Sequence, residues 1–120
     1  MIETHGLNHI SLAVRDPERS LVFYERLFGF REAHREEDSI QALGPGGHDL
    51  IVFERRDSAG IVGGIEHFGF RLTDPAHIDD AVHQAREAGA KILRQGEFAS
   101  GCPYVYFEDP DGYKIEVWFE

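Results

Sequence analysis

The sequence repeats itself with an offset of 58 residues. The residues that recur are His9, Asp16 and Pro17 in the first copy and His67, Asp74 and Pro75 in the second. In both copies a β-type run precedes the Asp-Pro pair, which is typical of a helix start because Asp caps a helix and Pro is tolerated in its first turn. A repeat this small cannot bury both faces of its own sheet alone, and two such copies facing each other could build one curved sheet with the helices outside.

Each copy has the predicted order β-α-β-β-β. The predicted strands span residues 7–14, 30–33, 39–43 and 49–54 in the first copy, and 67–72, 90–93, 104–107 and 113–119 in the second. Helices follow Asp16 and Asp74 and end near Gly29 and Gly89. The predicted fold is α+β, with two βαβββ modules that form a curved mixed sheet. Module one spans residues 1–58, a linker spans 59–64, and module two spans 65–120.

Composition restricts the function and the location. A net charge of -10 argues against binding to nucleic acid or to anionic membrane surfaces. The single cysteine, Cys102, cannot form an intrachain disulfide and has no adjacent activating residue. Neither an 18-residue apolar run nor a secretory signal is present, so a cytoplasmic location is expected.

The C-terminal hairpin extends the repeat to a possible metal site. Its turn, residues 109–112, lies 65 residues after the turn at 44–47, and Glu116 lies six residues past Pro110. The residue six past Pro45 is Ile51. If a pseudo-twofold axis relates the modules, four equivalent positions converge on it: His9, Ile51, His67 and Glu116.

Three of these four positions carry metal-binding side chains. Two imidazoles and one carboxylate on rigid strands leave coordination positions open, which suits Fe(II) first, with Mn(II), Zn(II) or Ni(II) as alternatives. Taken singly, each histidine would more often be an ordinary surface residue. Glu54 is a further candidate ligand, but in this register it matches Phe119, so it is predicted to face solvent unless a bulge shifts it.

Other residues are candidates for the walls of the site. Tyr106 lies on the strand paired with that of Glu116, where it would either donate a hydrogen bond or fill the cavity with its ring. Ser11, Lys114 and Trp118 have the strand parity of the nearest ligands and are predicted, with Ile51, to line a substrate pocket.

Two stretches resemble the vicinal oxygen chelate superfamily. They are residues 8–30, with Asn8-His9-Ile10-Ser11 and the helix end Leu27-Phe28-Gly29-Phe30, and residues 108–116. The resemblance covers essentially the whole chain. It implies paired βαβββ modules, a homodimer, a metal held at His9, His67 and Glu116, and small substrates that chelate the metal through adjacent oxygens.

The branch of the superfamily is not decided by these residues. The run from Val105 to Glu116 is similar to the ring-cleaving dioxygenase signature, including its tyrosine, but no histidine precedes it at residues 97–99. Glyoxalases need a fourth metal ligand, which is a carboxylate. Fosfomycin-resistance thiol transferases need a positively charged pocket that binds the phosphonate group. Drug-sequestering bleomycin-resistance proteins usually lack the ligands.

The predicted function is therefore that of a metal-dependent enzyme. Extradiol-dioxygenase-like chemistry on a catecholic substrate comes first, with Tyr106 steadying an oxyanion. Proton transfer of the glyoxalase or epimerase type, with Glu54 or water as base, is the alternative enzyme. A fosfomycin-type transferase and a non-catalytic sequestering protein are the remaining alternatives.

Overall fold

The computed structural model describes residues 1–61 and 63–120. Val62, in the predicted linker 59–64, lies outside the described residues. The chain divides into two compact units, Met1–Ala59 and Gly60–Glu120. Neither helix in the described part of the chain has the length and apolar character needed to cross a bilayer.

The first unit has one helix and a four-stranded mixed sheet. Its elements are β1 (His9–Val14), α1 (Pro17–Phe28), β2 (Arg31–Glu36), β3 (Ser39–Leu43) and β4 (Leu50–Arg55). The strand order is β1-β4-β3-β2, in which β1 and β4 are parallel and the other pairs antiparallel. The core of this unit lies between the helix and one sheet face, where Tyr24 of α1 packs on Phe53 of β4 with ring centroids 5.2 Å apart.

The second unit repeats this arrangement. Its elements are β5 (Phe68–Arg71), a 3₁₀ turn (Pro75–His77), α2 (Ile78–Glu87), β6 (Lys91–Glu97), β7 (Pro103–Glu108) and β8 (Lys114–Trp118). The strand order is β5-β8-β7-β6, with β5 and β8 parallel. The core consists of buried apolar residues on α2 and on the strands: Val82, Ala85, Val105, Phe107, Ile115 and Val117. The predicted α+β class and both βαβββ modules are thus confirmed.

The helix starts form as predicted. The Asp16 carboxylate accepts hydrogen bonds from the backbone N–H groups of Glu18 and Arg19, and Gly29 ends α1 with a φ of 72°. Asp74 caps the second helical segment in the same way, but its first turn is 3₁₀ and the α-helix begins only at Ile78. The Asp-Pro pair therefore locates both helical segments from local chemistry alone.

Two strands are longer than their sequence pattern predicted. Strand β2 extends to Glu36 and β6 extends to Glu97, and each contains a shift in pairing register, next to Ala33 and Leu93 respectively. An extra residue at a bulge reverses the inside-outside alternation. The apolar pattern therefore ends at the bulge although the strand continues.

Candidate functional site

Two predicted metal ligands, His67 and Glu116, lie together in the second unit. Glu116 is in the middle of β8, and His67 immediately precedes β5, the parallel neighbour of β8. The Nε2 atom of His67 lies 3.1 Å from the Oε2 atom of Glu116. The Glu116 side chain is only 11% exposed, so this carboxylate is largely removed from water.

Alternation along the strands defines the face on which this pair sits. Gly69 pairs with Glu116, and Tyr106 pairs with it from the other side. Residues two positions along from these, Tyr104 and Trp118, point the same way. We call this side of the second sheet, opposite the apolar side that α2 covers, the Glu116 face.

A glycine on β5 makes room for the backbone of Glu116 and for the Trp118 ring. A Cβ atom added at Gly69 would lie 3.1 Å from the main-chain oxygen of Glu116, 3.4 Å from its Cβ atom and 3.4 Å from the indole nitrogen of Trp118. Sequence reasoning did not identify this residue. An isolated glycine inside a strand pattern was the available signal, since it often marks a close approach of another group.

Tyr106 contacts both members of the pair. Its ring meets the His67 ring edge to face, with centroids 5.1 Å apart. Removal from water and a hydrogen bond to Glu116 raise the pKa of Tyr106 to about 12. The phenol therefore keeps its proton at neutral pH and acts as a hydrogen-bond donor rather than as a base.

Two polar atoms at this place have no hydrogen-bond partner among the described residues. They are Nδ1 of His67 and Oε1 of Glu116, both buried. An unpaired buried polar atom costs about 1–3 kcal/mol, and more when the group is charged. Cis ligands of an octahedral ion with bonds of about 2.1 Å lie about 3.0 Å apart, close to the separation of His67 and Glu116. The donor types of this pair and the 3.1 Å separation of Nε2 and Oε2 fit a divalent cation bound at those two atoms, with Oε1 of Glu116 free to contact the same ion.

The third predicted ligand, His9, begins β1 in the first unit. It is exposed, and its Nδ1 atom lies 2.9 Å from the side-chain oxygen of Asn8. Among the described residues, no group of three or more His, Cys, Asp or Glu side chains is close enough to hold a metal ion. The assignment of His9 therefore continues to rest on its equivalence to His67 in the repeat.

Strand pairing corrects the fourth equivalent position by one residue. In the second unit Tyr106 pairs with Glu116, and in the first unit the equivalent Gln41, 65 residues earlier, pairs with Val52. The parallel strands agree, since Ser11 pairs with Val52 and Gly69 with Glu116. The prediction of Ile51 is wrong because the first hairpin loop, residues 44–49, is one residue longer than the loop at 109–113.

Ile51 consequently belongs to the core. It is 3% exposed and alternates with Val52, so it points to the same side as Phe53, which packs on α1. It does not line the side of the sheet on which Ser11 lies. The position equivalent to Glu116 is still apolar, because it is occupied by Val52.

Glu54 shares the side of Ser11 and Val52. The Ser11 hydroxyl donates a hydrogen bond to Oε2 of Glu54, and the Arg56 guanidinium lies 3.0 Å from Oε1. In the corrected register Glu54 matches Trp118, not Phe119. The Glu54 side chain is 35% exposed and is held by these two donors.

The remaining pocket candidates lie on the Glu116 face and have partners there. The Lys114 ammonium pairs with Glu66 and lies 5.9 Å from the centre of the Tyr106 ring. The Arg71 guanidinium lies 5.7 Å from the centre of the Trp118 ring. Lys114 and Trp118 thus flank Glu116 along β8.

Comparison with known proteins places these observations in a family. The sequence model of the Glyoxalase/Bleomycin resistance protein/Dioxygenase superfamily matches residues 6–117. Catechol-2,3-dioxygenase from Bacillus subtilis (strain 168) is 29% identical over 121 residues, which cover 97% of this chain and 41% of that protein. Lactoylglutathione lyase from Salmonella typhimurium is 27% identical over 127 residues, covering 92% of this chain and 90% of that protein.

A solved structure shows the same fold. It is a mutant of the genomically encoded fosfomycin resistance protein FosX from Listeria monocytogenes, complexed with Mn(II) and 1S,2S-dihydroxypropylphosphonic acid. The TM-score is 0.81 at 20% identity, over 96% of this chain and 90% of that one. The chain spans about two fifths of the length of the dioxygenase relative. Because the family match runs from residue 6 to residue 117, the chain belongs to the glyoxalase/bleomycin resistance protein/dioxygenase superfamily.

Proposed function

We propose that this protein is a metal-dependent enzyme that cleaves a catecholic ring in the manner of an extradiol dioxygenase. The observation that carries the proposal is the pair of His67 and the largely buried Glu116, whose Nε2 and Oε2 atoms lie 3.1 Å apart while Oε1 has no hydrogen-bond partner among the described residues. The catechol-2,3-dioxygenase relative supports the reaction class, although the chain covers only 41% of it.

His67 and Glu116 would hold the metal, with His9 as the third ligand. His9 is included because it occupies the position of His67 in the other copy of the repeat. Such a metal supplies open coordination positions at which two adjacent substrate oxygens bind. Fe(II) is our first choice, Zn(II) and Ni(II) are alternatives, and Mn(II) gains support from the manganese complex of the FosX structure.

Tyr106 has a role that follows from its protonation. Because its pKa is about 12, it presents a proton at neutral pH and can donate it in a hydrogen bond to a negatively charged oxygen. In the structure the acceptor is Glu116. We propose that Tyr106 donates its hydrogen bond to the Glu116 carboxylate when no substrate is bound. When substrate is bound, it donates that hydrogen bond to a negatively charged substrate oxygen.

Ser11, Lys114 and Trp118 complete the proposed substrate site. Trp118 offers an aromatic surface beside Glu116, and the ammonium of Lys114 is fixed by Glu66. The hydroxyl proton of Ser11 is committed to Glu54, so the oxygen of Ser11 can accept a hydrogen bond from a substrate hydroxyl. Under this proposal the partner is a small molecule, and the homodimer implied by the resemblance can be measured by light scattering.

The test measures the metal and oxygen consumption together. Protein purified without chelator is analysed for bound metal, then incubated with substituted catechols under air while oxygen uptake and the yellow ring-cleavage product are followed. Oxygen uptake that is lost after treatment with EDTA and restored by Fe(II) or Mn(II) is the expected result. A protein saturated with Zn(II) or Ni(II) that consumes no oxygen with any catechol would overturn the proposal.

A second candidate, proton transfer of the glyoxalase or epimerase type, is favoured by Glu54. This carboxylate lies on the same side of the first sheet as Ser11, held by Ser11 and Arg56. The lyase relative matches over 90% of its own length. Conversion of a hemithioacetal that is lost in Glu54→Gln would support it.

A non-catalytic sequestering protein is the remaining alternative. Ligand binding that is unchanged by EDTA and by His9→Ala would indicate it.

A further inference from the structure

The β-bulge in β6 determines which side chain this strand places on the Glu116 face. Ile92 pairs with Phe107, whose side chain is on the apolar side, and Arg94 rather than Leu93 pairs with Tyr106. Without the extra residue, Leu93 would stand opposite Tyr106. A bulge is a known means of redirecting a side chain toward a functional site. Here it exchanges an apolar residue for a guanidinium on the Glu116 face.

Aromatic rings connect this guanidinium to the candidate metal ligands. The Arg94 guanidinium carbon lies 5.6 Å from the centre of the Tyr104 ring, a cation–π distance. The Tyr104 and Tyr106 rings are 5.5 Å apart, and the next ring along is that of His67. Gly96 admits the first of these rings, because a Cβ atom at that position would lie 2.9 Å from the Tyr104 hydroxyl.

Arg94 is exposed, and its guanidinium, unlike the neighbouring cations of the Glu116 face, has no hydrogen-bond or ion-pair partner among the described residues. Lys114 is paired with Glu66, and Arg71 donates a hydrogen bond to the main-chain oxygen of Glu120. Arg94 makes no ion pair with any carboxylate in residues 1–61 and 63–120, in a chain that carries 22 acidic residues.

We propose that Arg94 binds a carboxylate group of the substrate, so that the natural substrate is an acidic catechol or a similar vicinal-oxygen acid. This inference rests on the proposed function, because it assigns the substrate class of the same site. A guanidinium held over a ring presents its planar edge, which matches a carboxylate with two parallel hydrogen bonds. The adjacent oxygens of the substrate would then lie toward His67 and Glu116, and its acidic substituent toward Arg94.

The experiment compares two ligands that share one diol. Metal-loaded protein is titrated without oxygen with 3,4-dihydroxyphenylacetate and with its methyl ester, which lacks the negative charge. The single tryptophan, Trp118, lies on the Glu116 face and reports binding by fluorescence, and calorimetry gives an independent Kd. The variants are Arg94→Gln, Arg94→Lys and, as a matched control, Arg86→Gln on the exposed surface of α2.

We expect the wild-type protein to bind the acid at least about tenfold more tightly than the ester, the usual size of a hydrogen bond to a charged group. Arg94→Gln should raise the Kd of the acid until it equals that of the ester, and should leave the Kd of the ester unchanged. Arg94→Lys should recover part of the difference, and Arg86→Gln should behave as wild type. Circular dichroism confirms that each variant is folded.

Failure of the inference and failure of the proposed function give different results. If both ligands bind in a metal-dependent way but their ratio is the same in wild type and Arg94→Gln, the role of Arg94 is wrong and the metal-dependent site stands. If neither ligand binds, or if EDTA leaves both Kd values unchanged, the proposed function fails and the inference fails with it.

Discussion

Replacing Glu116 by Gln should change the stability of this protein in opposite directions with and without metal. The amide has the shape of the carboxylate and can still hydrogen bond to Tyr106 and His67, so the substitution removes mainly the charge. In the metal-free protein the Glu116 side chain is 11% exposed, and one of its two oxygens has no hydrogen-bond partner among the described residues. Because a buried unpaired group costs about 1–3 kcal/mol, the metal-free variant should gain about 1 kcal/mol, or roughly 3–6 °C in Tm.

The sign should reverse when metal is added. A cation at 100 times its Kd stabilises the folded wild-type protein by about 2.7 kcal/mol, whereas the variant should lose most of that gain along with the charged ligand. Thermal unfolding is measured after EDTA treatment and again with Mn(II) or Fe(II), the latter without oxygen. Glu97→Gln, at the exposed end of β6, is the control and should leave both Tm values unchanged. A variant that is less stable without metal, yet keeps the full metal-induced shift, would show that Glu116 is a structural carboxylate and not a ligand.

Three further outcomes are expected. Asp109→Ala should lower the free energy of unfolding by about 2–3 kcal/mol in urea titrations, because the buried carboxylate accepts hydrogen bonds from two backbone N–H groups of its loop; an unchanged midpoint would contradict this. Gly69→Ala should cost more free energy of metal binding, measured by calorimetry, than free energy of unfolding, derived from Tm. The reason is that the new methyl group would press on Glu116. The Arg35 hydrogen bond lowers the pKa of Glu18 from 4.5, so an NMR titration should find a midpoint below 4.5 that rises in Arg35→Gln; stability from this pair is present above pH 4.5 and is lost as pH falls through the lowered pKa.

The local signals in the sequence predicted most of the fold. The repeated Asp-Pro pairs located both helical segments, because capping depends only on residues a few positions apart. The turn residues at 109–112 located the last hairpin for the same reason. The predictions that missed, the lengths of β2 and β6 and the place of Ile51, all depended on counting residues past an irregularity. A bulge or one extra loop residue moves every later side chain to the opposite face.

The sequence alone therefore determined the two βαβββ modules and the three side chains proposed as ligands. Their chemistry and their place in the repeat are properties of residue type and spacing. Only the tertiary structure showed that Val52 and not Ile51 matches Glu116, that Tyr106 hydrogen bonds to Glu116, and that Arg94 shares their face. These facts depend on strand register, which is set by hydrogen bonds between residues far apart in the chain, and no local pattern encodes them.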